Sequence, residues 1–261
     1  MSSLTAYAST SARDSAAPAA SNPGLCIFRT DTKAIEVSDG TAYQTYNSDG
    51  VVTDYSSGNT HSGDFDGNDY AVGSVGALNG VSAFSTSLWF RYQGTIGGST
   101  HIPISGGSDT TNKWYLWLKN ATTFQYGNAS SFPEWTASSM SDSLWYHVAL
   151  VHDGTSVTLY LNGSSLGTNT GVTSANQTWI GTNFNIGRYG AGASYYWNGW
   201  IDEVSVFNRA LTSTEVTNIY SNKLYLNPTA LWRLNDDTTD ELGNYDLTNN
   251  TITFDGTNKA Y

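Results

Sequence analysis

The sequence predicts an all-β protein: a two-sheet antiparallel sandwich with one short helix and a small N-terminal β-hairpin appendage. Three observations carry this. Aromatic residues reach 13% while charged residues stop at 13%, about half the usual charged share, so little Lys, Glu or Arg is available for exposed helices. Alternating apolar and polar runs recur between turns such as Asp49-Gly50, Asp66-Gly67, Asp153-Gly154 and Asn162-Gly163, the punctuation of short strands. One stretch has helical spacing: Thr212 and Glu215 fit a capping box, and Val216, Ile219 and Tyr220 share a face. At 261 residues the chain suits one large β domain plus an appendage, or two small domains, and can bury a real core.

Taken in order, residues 1–22 are Ala/Ser-rich and nearly without large apolar groups. Alone they cannot offset their ordering entropy, so they are either a flexible tail or an arm that orders against a partner. In 23–48, Leu25–Phe28 and Ala34–Val37 flank the turn Arg29–Lys33, with a second turn at Asp39-Gly40. So small a hairpin is marginal in water and is expected to pack on the main domain or on neighbouring copies. Ala83–Tyr92 sets Phe84, Thr86, Leu88 and Phe90 against Ser85, Ser87, Trp89 and Arg91. After a Gly/Ser/Thr-rich loop, Trp114–Leu118 and Thr123–Tyr126 read as strands, followed by a long polar connection over 127–143. Trp145–Val151 and Val157–Leu161 form a hairpin about His152–Thr155. Phe184–Gly190 supplies a further strand, and Trp200–Phe207 runs into the helix. Strict alternation there puts Ile201, Glu203, Ser205 and Phe207 on one face and Trp200, Asp202, Val204 and Val206 on the other.

Several of these runs resemble one family. "IDEVSVFNRALTSTEV", "SGDFDGNDYAVGSV", "WYHVALVHDG", "VTLYLNG" and "FNIGRYG" stand in the order of the laminin G-like (concanavalin A-like) jelly roll, in its bacterial and phage branch. "LNPTALWRL" at Leu226–Leu234 resembles the family's opening strand, which normally precedes "FDG". The resemblance therefore implies a circularly permuted jelly roll over 49–261, with 226–261 supplying that strand to its own sheet or to a neighbour's. An unpaired sheet edge would otherwise remain. "GLCIFRTDTKAIEVSDGTAYQTY" resembles N-terminal hairpin modules of tailed-phage fibre and appendage proteins.

Charge and cysteine usage narrow the partners. Net charge is −11, which opposes nucleic-acid binding and attachment to an anionic bilayer. The lone Cys26 leaves no internal disulfide and no cysteine metal site. No signal-peptide pattern and no membrane-length apolar run is read.

Three kinds of chemistry are weighed. A glycoside hydrolase needs two carboxylates across the bond. The related laminarinase-type E-x-D-x-x-E run is missing, and Asp202 and Glu203 should leave opposite faces of their strand, so no enzyme is expected. Calcium wants several oxygens from acidic loops, such as 64–69 and 235–246. The resemblance implies Asp202 as a structural calcium ligand, with Asp66 a second candidate, against the alternative of ordinary solvated turns. Glycan binding pairs stacking aromatics with amides and carboxylates. Trp114, Trp117, Trp135, Trp179, Tyr189, Tyr195 and Tyr196 are the stock, and Trp135, Tyr189, Tyr195 and Tyr196 are the binding candidates. Core packing is the competing use of each.

The expected function is a non-catalytic virion structural protein: a capsid decoration, tail appendage or fibre module. Residues 1–46 would contact other virion proteins, the chain would form a homo-oligomer, and the jelly roll would face outward toward cell-surface polysaccharide. The alternative is a secreted or cell-surface lectin module in an extracellular setting.

Overall fold

The computed structural model describes residues 59–96, 101–107, 112–128, 130–172, 180–190, 192, 194–222 and 224–261. It also describes strand segments at 5–7, 26–29, 34–38, 43–46 and 52–54. Trp179 lies outside the described residues. Five strands precede the main body: β1 (Thr5–Tyr7), β2 (Cys26–Arg29), β3 (Ala34–Ser38), β4 (Tyr43–Tyr46) and β5 (Val52–Asp54). The first four form one sheet in the order β1-β2-β3-β4. The expected hairpin is therefore its central part, widened by a segment of the Ala/Ser arm that pairs parallel to β2. A lone hairpin cannot hold itself together in water, and extra strands satisfy its edge groups.

The sandwich follows. Its strands are β6 (Ser62–Asp66), β7 (Tyr70–Gly73), β8 (Phe84–Tyr92), β9 (Ile104–Gly107), β10 (Lys113–Asn120), β11 (Thr123–Asn128) and β12 (Glu134–Thr136). Then come β13 (Tyr146–His152), β14 (Ser156–Leu161), β15 (Ser164–Thr170), β16 (Phe184–Ile186) and β17 (Asn198–Phe207). Helix α1 (Ser213–Asn222) leads to β18 (Leu224–Leu226), β19 (Ala230–Trp232), β20 (Thr248–Asn250) and β21 (Thr253–Asp255). One sheet has seven strands, β12-β11-β10-β9-β16-β7-β20. The other has eight: β15-β14-β13-β8-β17-β6-β21, with β19 also on β17. Every pairing within these two sheets is antiparallel.

Alternation builds the core between the sheets. Phe84, Leu88 and Phe90 of β8 meet Trp114, Leu116 and Leu118 of β10, with Val148 and Leu150 of β13 beside them, all fully or almost fully buried. Each such side chain contributes roughly 1.5–3 kcal/mol by leaving water. A second apolar cluster lies outside the eight-stranded sheet. There Val216 and Ile219 of α1 pack with Leu211 and Tyr225 on Ala149, Val151, Tyr160 and Phe207. The helix starts on its capping box: Thr212 Oγ1 accepts from Glu215 N at 3.2 Å, and Glu215 Oε2 accepts from Thr212 N at 2.8 Å.

Ala230–Trp232 pairs with Val204–Val206 of the same chain, so the late strand joins its own sheet. It shares one edge of β17 with β6, which pairs with Asn198–Ile201. A β-bulge fills the gap: Asp202 faces Trp89, but Ser205 already faces Ser87. The extra residue resets the alternation, and Glu203 takes a left-handed φ of 49°. Strict alternation is thus overturned here. Ile201, Val204 and Val206 all enter the main core, while Phe207 packs outside under α1.

Candidate functional site

The seven-stranded sheet turns an open face to solvent, and β10 shows how. Its inward residues are Trp114, Leu116 and Leu118, so Lys113, Tyr115, Trp117 and Lys119 point outward. Across the sheet Tyr115 faces Gly127, Trp117 faces Gln125, and Gln125 faces Glu134. Tyr115 lies flat because Gly127 has no side chain: a Cβ there would sit 2.1 Å from its Cζ.

The described residues of a loop, 187–190, 192 and 194–196, lie on the same face. Ser105 of β9 pins it, donating to the Arg188 carbonyl at 2.8 Å and accepting from Gly190 N at 3.0 Å. Tyr189 and Ser194 close its neck as an antiparallel bridge. Tyr195 then holds a left-handed φ of 54°, a strained conformation for an aromatic residue. The result is a cavity of about 170 Å³ lined by Ile102, Lys113, Tyr115, Trp117, Tyr189 and Tyr195. That is smaller than the roughly 300–1,000 Å³ of drug-sized pockets, and suits a single ring resting on a platform.

The rings are set against one another at angles. Tyr115 and Tyr189 are 5.5 Å apart at 88°, Tyr189 and Tyr195 5.9 Å at 65°, and Trp117 and Tyr195 6.1 Å at 43°. Tyr195 is 38% exposed, against 8% for Tyr189 and 9% for Tyr115, so Tyr195 offers the accessible ring. Burial, then Tyr189 and Tyr195, pushes the Tyr115 hydroxyl up to about 12, so it stays a neutral donor and acceptor. The Trp117 indole N–H is buried without an acceptor among the described residues.

A polar row continues from Trp117. Glu134 Oε1 accepts from Gln125 Nε2 at 2.7 Å and Lys119 Nζ at 2.6 Å. The Lys119 bond holds Glu134 below the usual carboxylate range, against a smaller opposing effect of burial. Chemically the face combines stacking surfaces, an amide, a carboxylate and ammonium groups.

The site candidates fare unevenly. Tyr189 and Tyr195 come together at the cavity. Tyr196 pairs instead with Tyr70, 6.2 Å away. Trp135 is a correction: it is 4% exposed, belongs to the core, and its Nε1 donates to the Gly167 carbonyl at 2.9 Å. It sits between two outward residues of β12, so its ring must point inward. Trp114 is likewise core. Trp117, in the aromatic stock but not among the four binding candidates, lines the cavity, and so does Tyr115, which sequence reasoning missed. The alternation in Lys113–Lys119 was the signal that finds them.

Asp202 and Asp66 are not brought together. Asp66 is exposed opposite Asn198 at one end of β6, while Asp202 lies beyond the Ile201–Gly63 pair at the other. Asp202 and Glu203 do not leave opposite faces: the bulge sends both to the outer side of the eight-stranded sheet, fully buried. Asp202 Oδ2 accepts from Asn59 Nδ2 at 2.8 Å and Ala260 N at 3.0 Å. Glu203 Oε1 accepts from Arg233 Nε at 2.8 Å. Burial raises both carboxyls; the neighbouring Glu203 adds to the rise at Asp202, and Arg233 opposes it at Glu203. Two buried oxygens, Asn59 Oδ1 and Asp202 Oδ1, have no hydrogen-bond partner among the described residues, while Glu203 also engages the Tyr261 hydroxyl.

A two-sheet antiparallel sandwich with one covered face and one aromatic, open face is the jelly roll that lectins and glucanases share. The chain belongs to the concanavalin A-like lectin/glucanases superfamily, through its Laminin_G_3 family, which matches residues 65–217. No curated protein matches it. Among solved structures it is similar to a candidate carbohydrate binding protein from Bacteroides ovatus, at 19% identity and a TM-score of 0.58. That match covers 75% of this chain but 59% of the other, so this chain spans about three fifths of that protein. It is also similar to a heptameric SAP-like pentraxin from Limulus polyphemus, at 20% identity and a TM-score of 0.49, over 62% of this chain and 82% of that one. A third is the CBM40 of Ruminococcus gnavus IT-sialidase bound to α2,3 sialyllactose, at 13% identity and 0.47, over 60% and 97%. At these identities the first likeness speaks to the fold.

Proposed function

We propose that this jelly roll is a non-catalytic glycan-binding module whose site is the open face of the seven-stranded sheet. The observation that carries the proposal is the cavity walled by Tyr115, Trp117, Tyr189 and Tyr195 beside the Gln125–Glu134–Lys119 row. Sugar rings present flat C–H faces to aromatic rings and hydroxyls to amides and carboxylates, and both kinds of group are here. The six lining residues include no carboxylate, whereas glycoside hydrolysis in most families uses two. The buried Asp202–Glu203 pair lies on the other sheet.

The test is affinity electrophoresis through gels containing bacterial surface polysaccharides. The parent chain should be retarded by at least one gel and Trp117→Ala retarded at least about tenfold more weakly, with unchanged melting. Release of reducing ends by the parent chain would sink the non-catalytic part.

The wider role we propose is presentation on a virion, with a secreted lectin module as the alternative. What supports it is the separate sheet β1–β4, whose described pairings are all internal. Residues 1–46 would attach the jelly roll to other virion proteins and to copies of itself, and many copies would turn weak sugar contacts into avidity. Removing 1–46 should then lower the assembly mass in solution while leaving glycan retention per copy unchanged.

Structural calcium remains part of this reading. The partnerless oxygens of Asn59 and Asp202 are of the kind calcium takes, and Asp66 stands apart from them. Calcium should raise the melting temperature of the parent chain and not that of Asp202→Asn.

A further inference from the structure

Resting on the glycan-binding reading, the geometry points to an acidic sugar as the ligand: a ring bearing a carboxylate or sulfate, its anion received by the Lys113 ammonium at the cavity. The chain has 22 acidic and 11 basic residues. Three of those eleven, Lys113, Lys119 and Arg188, nevertheless stand on the open face of one sheet, and each has a different occupation. Lys119 is spent on Glu134, with Nζ 2.6 Å from Oε1. Arg188 donates from Nε to Asn185 Oδ1 at 2.9 Å and lies 3.3 Å from the centre of the Tyr70 ring.

Lys113 alone of the three lines the cavity. Its Nζ sits 5.7 Å from the centre of the Tyr189 ring, and it forms no salt bridge among the described residues. A cation over an aromatic face is only modestly satisfied. The cavity around it offers aromatic and aliphatic walls and no carboxylate. A neutral sugar would fill the space and leave the ammonium as it is. An acidic one would complete it, with its ring against the exposed Tyr195. The protein as a whole repels anions at net charge −11, so a preference for acidic glycans must come from this local cation and must weaken with salt.

The experiment uses the full chain and immobilised oligosaccharides in matched pairs. These are lactose with sialyllactose, lactose with its sulfate ester, and galactan oligomers with oligogalacturonate. The acidic member of at least one pair should bind at least about tenfold more tightly, and the gap should close as salt rises. The carboxylate and sulfate pairs distinguish the two sources of the anion. Lys113→Met should bring acidic binding down to the neutral level, and Lys113→Arg should keep the preference. Equal binding of acidic and neutral members, or a preference that survives Lys113→Met, overturns the acidic-ligand inference and leaves glycan binding standing. If neither charged nor neutral sugars bind, and Trp117→Ala behaves as the parent chain, both readings fall together.

Discussion

The two outward faces of the sandwich obey the same alternation rule and have opposite fates. On the eight-stranded sheet α1 roofs part of the outward side, and the buried Glu203 on that side is paired inside the protein with Arg233 at 2.8 Å. On the seven-stranded sheet the loop pinned at Ser105 covers only part of the outward side, and Tyr195 and Lys113 stay partly exposed at the cavity. The comparison teaches where to look for stability and where for binding. A side chain whose partners are internal holds the fold, and one whose surroundings are half complete is where the proposed ligand would act.

The sharpest way to break the comparison is at Arg233. It is 8% exposed, and Glu203 is fully buried. Arg233→Met strands a carboxylate without its counter-charge, and such losses cost about 3–5 kcal/mol. Urea unfolding should show that drop, and adding Glu203→Gln should recover part of it. Molecules still folded should bind glycan normally, because the two faces point away from each other. A Met variant as stable as the parent would remove the covered face from the list of what holds the fold.

Acid offers the next largest effect, and it acts between the faces. His152 is fully buried, stacks 5.6 Å from Phe84, and its Nδ1 accepts from Gly154 N at 3.0 Å. Burial pulls its pKa down to about 4, with Asp153 opposing slightly. The folded protein therefore holds a neutral imidazole where the unfolded chain, with an ordinary histidine near 6.5, would already bind a proton. Its contribution is fully present above 6.5 and is lost as pH falls toward 4, on the order of 3 kcal/mol at most. His152→Asn keeps an acceptor for Gly154 and cannot titrate. Across that window its unfolding free energy should fall less than the parent's. Parallel curves would mean that His152 does not sense the acid.

Much of this architecture is legible in the residues, and the failures have physical causes. The alternation of Phe84–Phe90, the hairpin about Asp153-Gly154 and the Thr212–Glu215 box all match the structure, because each is decided by neighbours a few positions away. The bulge at Glu203 is not legible: a glutamate with positive φ carries no local signature, and its place is set by β6 and β19 sharing one edge of β17. Trp135 looks like a loop aromatic because β12 is only three residues long, too short for a period to show. The meeting of Tyr189 and Tyr195 with β10 depends on Ser105, more than eighty positions earlier. Trp117 was within reach, since it alternates with Leu116 and Leu118 in a run that reads as a strand.

The smallest change probes the open face with the least disturbance to the rest. Gly127 sits opposite Tyr115, and an added Cβ would lie 2.1–2.5 Å from Cζ, Oη and Cε1 of that ring. Those atoms are the far end of a side chain that can swing, and no left-handed backbone is required at Gly127. Gly127→Ala should therefore change stability by no more than about 1 kcal/mol, within the ordinary range of point changes. The ring, however, has to leave its place 5.5 Å from Tyr189 and enter the cavity. Glycan retention should fall several-fold while the melting temperature holds within a few degrees. Unchanged retention would show that ligands do not rest on Tyr115, and would shift the binding surface toward Trp117 and the Gln125–Glu134 row. A large fall in melting temperature would place Tyr115 among the residues that hold the fold, and the division between the two faces would lose its clearest case.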